Sequence, residues 1–429
     1  MFSKFLTSVS VLLLGQIVLR AQTLSPPVPP AETAAPVRRA EHNLFVMGLR
    51  ISNDFDDNAL SDNRNKQPNV ITVVEPHIGW TLSDSRVKWT LDYRPGFSMS
   101  HPLSIYNSRL QLLDTGLQLT LAKRLTVRLR QDFLESNNAF DRLRDSELTP
   151  GSSALDRPNN SVITDSRTSS EQAGVDLIYA LTSRTIVEAS GAFYKVSYSF
   201  PGNTQQLAST RSTNVHGLYS HHLTRHNWVG LDYAVQDLTS KGPWLHSLVH
   251  SVFYTDNLSL TPSMCLSFFI GPEHSITREP AFVLSGTGSI RIAQPNWSWA
   301  GGGNYTWSGT HTTLAIGFSR RISDGAGLQG IVQLSSATAE LRRQLTRQWK
   351  IRLLVSDDHN KALVAASTPI SYVSIAGGLT RALTPRLSLD LRYWRVHEVA
   401  NGVQPGAYLA DHNRISTSLV YEFKGPLER

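Results

Sequence analysis

Residues 371–399 read SYVSIAGGLTRALTPRLSLDLRYWRVHEV, from Ser371 to Val399. The stretch predicts two long strands joined at Thr384-Pro385-Arg386. In its second half Leu387, Leu389, Leu391 and Tyr393 fall on one face, and Ser388, Asp390 and Arg392 on the other. Strict alternation is the signature of a strand with an apolar side and a wet side. Soluble strands average about five or six residues. A tilted strand of about ten residues is long enough to cross a bilayer as a barrel stave.

The unit recurs from Leu44 onwards, near 44–52, 70–83, 86–99, 109–121, 125–136, 171–182, 185–199, 212–224 and 227–239. It continues near 245–258, 263–274, 297–307, 311–322, 328–344, 348–358, 371–383, 386–398 and 413–423, eighteen strands in all. Their connections alternate strictly. Short ones fall at Asp84-Ser85, Ala122-Arg124, Ser183-Arg184, Arg225-His226, Ser259-Pro262, Ser308-Thr310, Leu345-Arg347 and Thr384-Pro385. Longer ones span 53–69, 100–108, 137–170, 200–211, 240–244, 275–296, 323–327, 359–370 and 399–412. Ala281 to Ile292 is placed in a loop, because an extra strand there inverts every later turn. Tight turns at one end and long loops at the other predict an all-β, antiparallel up-and-down transmembrane barrel over 42–423, with periplasmic turns and extracellular loops. A soluble sandwich with the same faces would have shorter strands.

Composition narrows the alternatives. The 429 residues include nine Trp, thirteen Tyr and one Cys, with a net charge of +7. A lone Cys265 leaves no internal disulfide or four-Cys zinc site. The arginines are spread over every segment, which argues against a nucleic-acid stripe. Lys4, the apolar run Val9 to Leu19 and Ala21 make residues 1–21 a secretory signal. Residues 22–41, rich in Pro, read as a periplasmic linker, and 424–429 as a short tail. The mature chain is thus expected in the outer membrane.

Face parity gives the wall. Val87, Trp89, Leu91 and Tyr93 oppose Lys88, Asp92 and Arg94; Leu125, Val127, Leu129 and Phe133 oppose Arg128, Arg130 and Asp132. The inward cations predicted this way are Lys88, Arg94, Arg128, Arg130, Arg321, Arg342, Lys350, Arg352 and Arg392. The inward carboxylates are Asp92, Asp114, Asp132, Asp176, Glu188, Asp232, Glu340, Asp390 and Glu422. Nine against nine, they predict cross-strand pairing, such as Glu340 and Arg342 with Lys350 and Arg352. They line a water path of weak selectivity, or they merely satisfy one another. Trp80, Trp89, Trp307 and Trp349 sit beside short turns on apolar faces, where a periplasmic aromatic girdle belongs. Trp228 lies beside a turn on the other face.

Chemistry is sparse. There is no Walker loop, Rossmann fingerprint, H-E-x-x-H or G-x-S-x-G elbow. Gly301-Gly302-Gly303 inside a strand suits bending or close packing. His216, His221, His222, His246 and His250 cluster on two strands, but His246 and His250 lie about 13 Å apart, too far to share an ion. Asp357-Asp358-His359-Asn360 and Asp54, Asp56 and Asp57 are acidic loop-mouth groups of the kind that sometimes hold calcium. No catalytic, cofactor or metal residue is nominated.

With the hairpins laid out, the chain resembles the porin class of Gram-negative outer-membrane β-barrels over residues 42–423. The turns Leu223-Thr224-Arg225, Leu345-Thr346-Arg347 and Leu383-Thr384-Pro385, and the hairpin segments Trp297 to Trp307 and Ser319 to Ser323, carry the resemblance. The last strand sends Ile415, Thr417, Leu419, Tyr421 and Phe423 outward, like the signal read by barrel-assembly machinery, although Lys424 to Arg429 follow it. The resemblance implies a channel for small hydrophilic solutes or saccharides, bounded by outer-membrane lipid, in some members as a homo-oligomer. A closed scaffold or partner in polysaccharide export, and a barrel enzyme, are the competing readings. The 34-residue stretch Asn137 to Ser170 is expected to fold into the mouth.

Overall fold

A computed structural model describes residues 43–60, 63, 65–136, 167–199, 208–241, 245–282, 289–324, 331–363, 369–400 and 411–426. The expected signal and linker, and all but the last residues of the 137–170 loop, lie outside them.

The described residues form eighteen strands: β1 (Leu44–Asp56), β2 (Asn69–Ser83), β3 (Val87–His101), β4 (Ser108–Ala122), β5 (Leu125–Ser136), β6 (Arg167–Thr182), β7 (Thr185–Ser199), β8 (Thr210–Thr224) and β9 (Asn227–Ser240). The second half comprises β10 (Leu245–Thr261), β11 (Met264–Phe282), β12 (Ser289–Ser308), β13 (Thr312–Asp324), β14 (Ile331–Gln344), β15 (Trp349–Ala362), β16 (Ile370–Ala382), β17 (Leu387–Ala400) and β18 (Asp411–Pro426). Each strand pairs antiparallel with its sequence neighbours, and β18 closes on β1 from Leu44↔Pro426 to Asp56↔Arg414. No helix among the described residues is long and apolar enough to cross a membrane. The expected up-and-down barrel is the observed fold.

Closure leaves no open seam. At its loop end the β1–β18 joint is polar and buried: Arg414 meets Asp54 at 2.5 Å, His412 meets Asp56 at 3.1 Å, and Asn413 donates to Asp57. Asp54 and Asp56, expected at a loop mouth, belong to β1 and are occupied by these partners. Likewise Asp357 to Asn360 continue β15, where His359 meets Ser371 at 2.6 Å.

The largest departure from expectation is at β11 and β12. Residues 275–282 and 289–296, expected in a loop, extend the two longest strands to 19 and 20 residues. The connection is correspondingly shorter, and the strand count is unchanged. β12 pairs with β13 only from Gly301↔Arg320 to Ser308↔Thr313. Beyond that point β13 leaves the wall. Gly302 sits at the parting: an added Cβ would lie 2.6 Å from the Phe318 carbonyl and 2.7 Å from the Phe269 ring. The glycine run therefore serves close packing, as its place inside a strand predicted.

Candidate functional site: the barrel lumen

Burial alternates with exposure along almost every strand and tells inside from outside. On β1, Met47, Leu49, Ile51 and Phe55 are exposed, whereas Arg50, Ser52, Asp54 and Asp56 are buried. Exposed Ile316 and Phe318, Leu353 and Val355, and Leu391 and Tyr393 continue the apolar outer face. A single period-two pattern thus yields a greasy outside and a polar inside. Trp80, Trp89, Trp307 and Trp349 all lie on the outer face beside the turns; Arg381 stacks over Trp349 at 5.1 Å and Phe45 packs on Trp80. Trp228 lies on the inner face against His222, with ring centroids 4.5 Å apart.

The inner wall is charged in two sectors. In one, Asp92, Asp114 and Asp132 are successive register partners on β3, β4 and β5, forming a row of carboxylates. Asp92 is held by Arg94 at 2.7 Å and by His77 at 2.9 Å. Beside this row Arg130 pairs with Asp176 at 3.1 Å. Lys88 and Arg128 share the inner face, and Glu188 accepts from Ser190 at 3.0 Å. Further round, His216 meets Asp232 at 3.3 Å.

The other sector is basic. Thr313, Arg342, Arg352, Gly378, Arg392 and Ser416 are successive register partners across β13 to β18. Glu340 bridges Arg342 of its own strand at 2.5 Å and Arg352 across the hairpin at 2.6 Å, the second being one of the cross-strand contacts expected of this group, while Arg342 stands opposite Arg352 in register. Asp390 lies 3.8 Å from Arg392. A Cβ on Gly378 would sit 3.9 Å from the Arg352 Cβ and the Arg392 Cγ, so the glycine leaves a gap between the two aliphatic stems. The result is a cavity of about 430 Å³ lined by Arg342, Lys350, Arg352, Thr380, Arg392 and Trp394. On the inner face Arg342, Lys350, Arg352 and Arg392 against Glu340 and Asp390 leave two net positive charges at this bay; Arg343, which also borders the cavity, is exposed and falls on the alternate face of β14. Glu422 lies near the turn end beside Lys424.

A third feature narrows the interior. The tips of β13 and β14 are buried on both faces: Ile322, Ser323 and Asp324 on one strand, and Ile331, Val332, Gln333 and Leu334 on the other. Burial on both faces requires protein on both sides. Ile322 and Ile331 pack with Leu238, Leu245 and Val249 of β9 and β10. Thr210 of β8 donates to Asp324 at 3.0 Å. The buried Glu273 of β11 accepts the Ile322 backbone N–H, with Arg321 close by. Strands four and five places away in the barrel are met only through its interior, so this hairpin tip folds inward. Arg321, expected on the open wall, is buried at 6% exposure beneath it.

The remaining histidines disperse. His221 meets Thr185 at 3.0 Å, and on the outer face His246 meets Asp237 and His250 meets Tyr233. Among the described residues no three His, Cys, Asp or Glu side chains are placed to hold one ion. Parity of β1, β2 and β18 would have found the inward Arg50, Asp54, Glu75 and Arg414; the in-folded tip has no such sequence signal.

No protein-family model matches the chain, and no curated protein matches it. Solved structures resemble it in shape. Acinetobacter baumannii OccAB3 aligns at 8% identity and a TM-score of 0.43, over 89% of this chain and 99% of that one. Pseudomonas aeruginosa OccK2 (OpdF) in complex with glucuronate aligns at 10% identity and 0.44, over 89% and 98%. Pseudomonas aeruginosa OpdQ aligns at 11% and 0.44, over 90% and 99%. The barrel architecture stands on this chain's own strand pairing.

Proposed function

We propose that the barrel is an outer-membrane channel passing small hydrophilic solutes, saccharides among them, by diffusion. The observation that carries this is the division of its wall: a continuous exposed apolar outer face around an interior lined with ion pairs and a basic bay. An apolar surface of that extent needs hydrocarbon around it. A closed barrel meets the other demand of a bilayer, that every backbone group be paired within the protein. The turns then face the periplasm, the tryptophans beside them mark the lipid boundary, and the last strand presents the barrel-assembly signal.

Two net positive charges about 10 Å from a passing ion, in water screened at about 0.1 M salt, are worth about 0.3 kcal/mol, with opposite sign for anions and cations. At the bay itself a roughly threefold preference for anions follows, which the carboxylate row elsewhere on the wall reduces for the channel as a whole. The test is single-channel conductance of the refolded protein in a planar bilayer, with reversal potentials under a KCl gradient. Open channels with a small anion preference that disappears in R342Q/R352Q/R392Q are the expected result. A folded barrel that never conducts would overturn the channel and favour a closed surface scaffold, for which the in-folded β13–β14 tip is the specific support.

A further inference from the structure

The recurring turn sequence is unused by the channel. Its apolar residue is always on the outer face: Leu121, Leu181, Leu223, Leu345 and Leu383 are 42–60% exposed. The following Thr hydroxyl ties the turn. Thr182 accepts the Arg184 N–H at 3.1 Å, Thr346 those of Gln348 and Trp349, and Thr384 those of Arg386 and Leu387 at 3.2 and 3.0 Å. The next residue or two is a cation with an exposed side chain: Arg86, Arg124, Arg184, Arg225, Arg347 and Arg386.

The backbone that carries four of these cations is fixed in place. The carbonyls of Arg86, Arg124, Arg184 and Arg386 each accept an N–H from the neighbouring hairpin, at 2.7–2.8 Å. Arg386 lies over the Phe423 ring at 5.0 Å. With Lys123 the turns present seven cations and, as acid, only Asp84. A barrel radius of about 18 Å spreads eight turns about 14 Å apart, beyond a Debye length, so each turn acts by itself.

We propose that this rim binds anionic phospholipid of the periplasmic leaflet, six of its eight turns placing a leucine against the acyl chains and an arginine against the lipid phosphate. The guanidinium fork fits a phosphate bidentately. A leucine exposed within a few residues of an exposed arginine fits only a boundary between hydrocarbon and charge. The proposal rests on the membrane reading of the outer face, but not on conduction.

The test uses the full barrel, in a W244F/W297F/W299F background that confines fluorescence at the outer face to tryptophans near the turns. It is folded into vesicles containing brominated phosphatidylglycerol or brominated phosphatidylcholine. Quenching gives the relative affinity of the two lipids for the barrel surface. An anionic lipid should be favoured about fivefold at low salt, the effect of one arginine at a charged surface, with the preference fading as salt rises. It should vanish in R86Q/R124Q/R184Q/R225Q/R347Q/R386Q, with R347Q alone removing part of it. Equal quenching by the two lipids in the unsubstituted rim would overturn the proposal, as would an undiminished preference in the sixfold or the single variant. Conductance in the same vesicles separates this outcome from a failure of the channel reading.

Discussion

Replacing Ile322 and Ile331 by alanine should release the β13–β14 tip and widen the channel. Both side chains are 1% exposed and pack on Leu238, Leu245 and Val249. Each truncation costs about 2–5 kcal/mol when a buried isoleucine becomes alanine. Against the pair, the tip retains the Thr210–Asp324 hydrogen bond and the one from Ile322 to Glu273. Two such bonds contribute only about 1–3 kcal/mol, or more where charge assists. The packing therefore decides whether the tip stays docked. Eighteen strands about 4.8 Å apart and tilted by about 40° enclose a backbone radius of about 18 Å; side chains leave about 12 Å, or about 450 Å² of cross-section. A hairpin about 10 Å by 10 Å across removes about a quarter of that area. Its release should raise single-channel conductance by about a third, in a barrel whose heat-modifiable migration is retained. Unchanged conductance in a correctly folded I322A/I331A barrel would refute the idea that this tip narrows the passage.

Two further outcomes test the wall. An added methyl at Gly271 would lie 1.7 Å from the Val252 carbonyl, so Gly271→Ala must part β10 from β11 locally. A loss of about 2–4 kcal/mol is expected, read as a lower urea midpoint for the folded barrel in lipid, and an unmoved midpoint contradicts the close approach. At the closing seam, Asp54→Ala leaves the buried Arg414 guanidinium without its carboxylate and should cost about 3–5 kcal/mol. The double variant D54A/R414L should recover much of it, and a double variant as unstable as the single would place the cost elsewhere.

Much of this protein was legible in the chain itself. Period-two alternation fixes which side chains share a face whatever the register, so Lys88, Asp92, Arg94, Arg342, Arg352 and Arg392 could be assigned to the interior before any pairing was known. The alternation of short and long connections set the strand count and the end at which the tryptophans gather. Glu340 with Arg342 and Arg352 was predictable because a short turn fixes the register of β14 on β15.

What tertiary structure alone decided are contacts between residues far apart in sequence. Ile322 and Ile331 look like ordinary strand residues, yet they pack against β9 and β10 because β13 leaves the wall beyond Arg320 while β12 runs on alone to Ser289. The reach of β11 and β12 was not legible because one extra strand at 281–292 would invert every later turn, which places 275–296 in a loop, whereas lengthening both strands together keeps the alternation. In the hairpin the two segments pair across nineteen positions, and that pairing outweighs local propensity. Which strand closes the circle, and that Arg414 reaches Asp54 across it, depends on barrel circumference, a property of all eighteen strands together. Alternation is local and survives in the sequence; closure and infolding are collective, and only the assembled wall contains them.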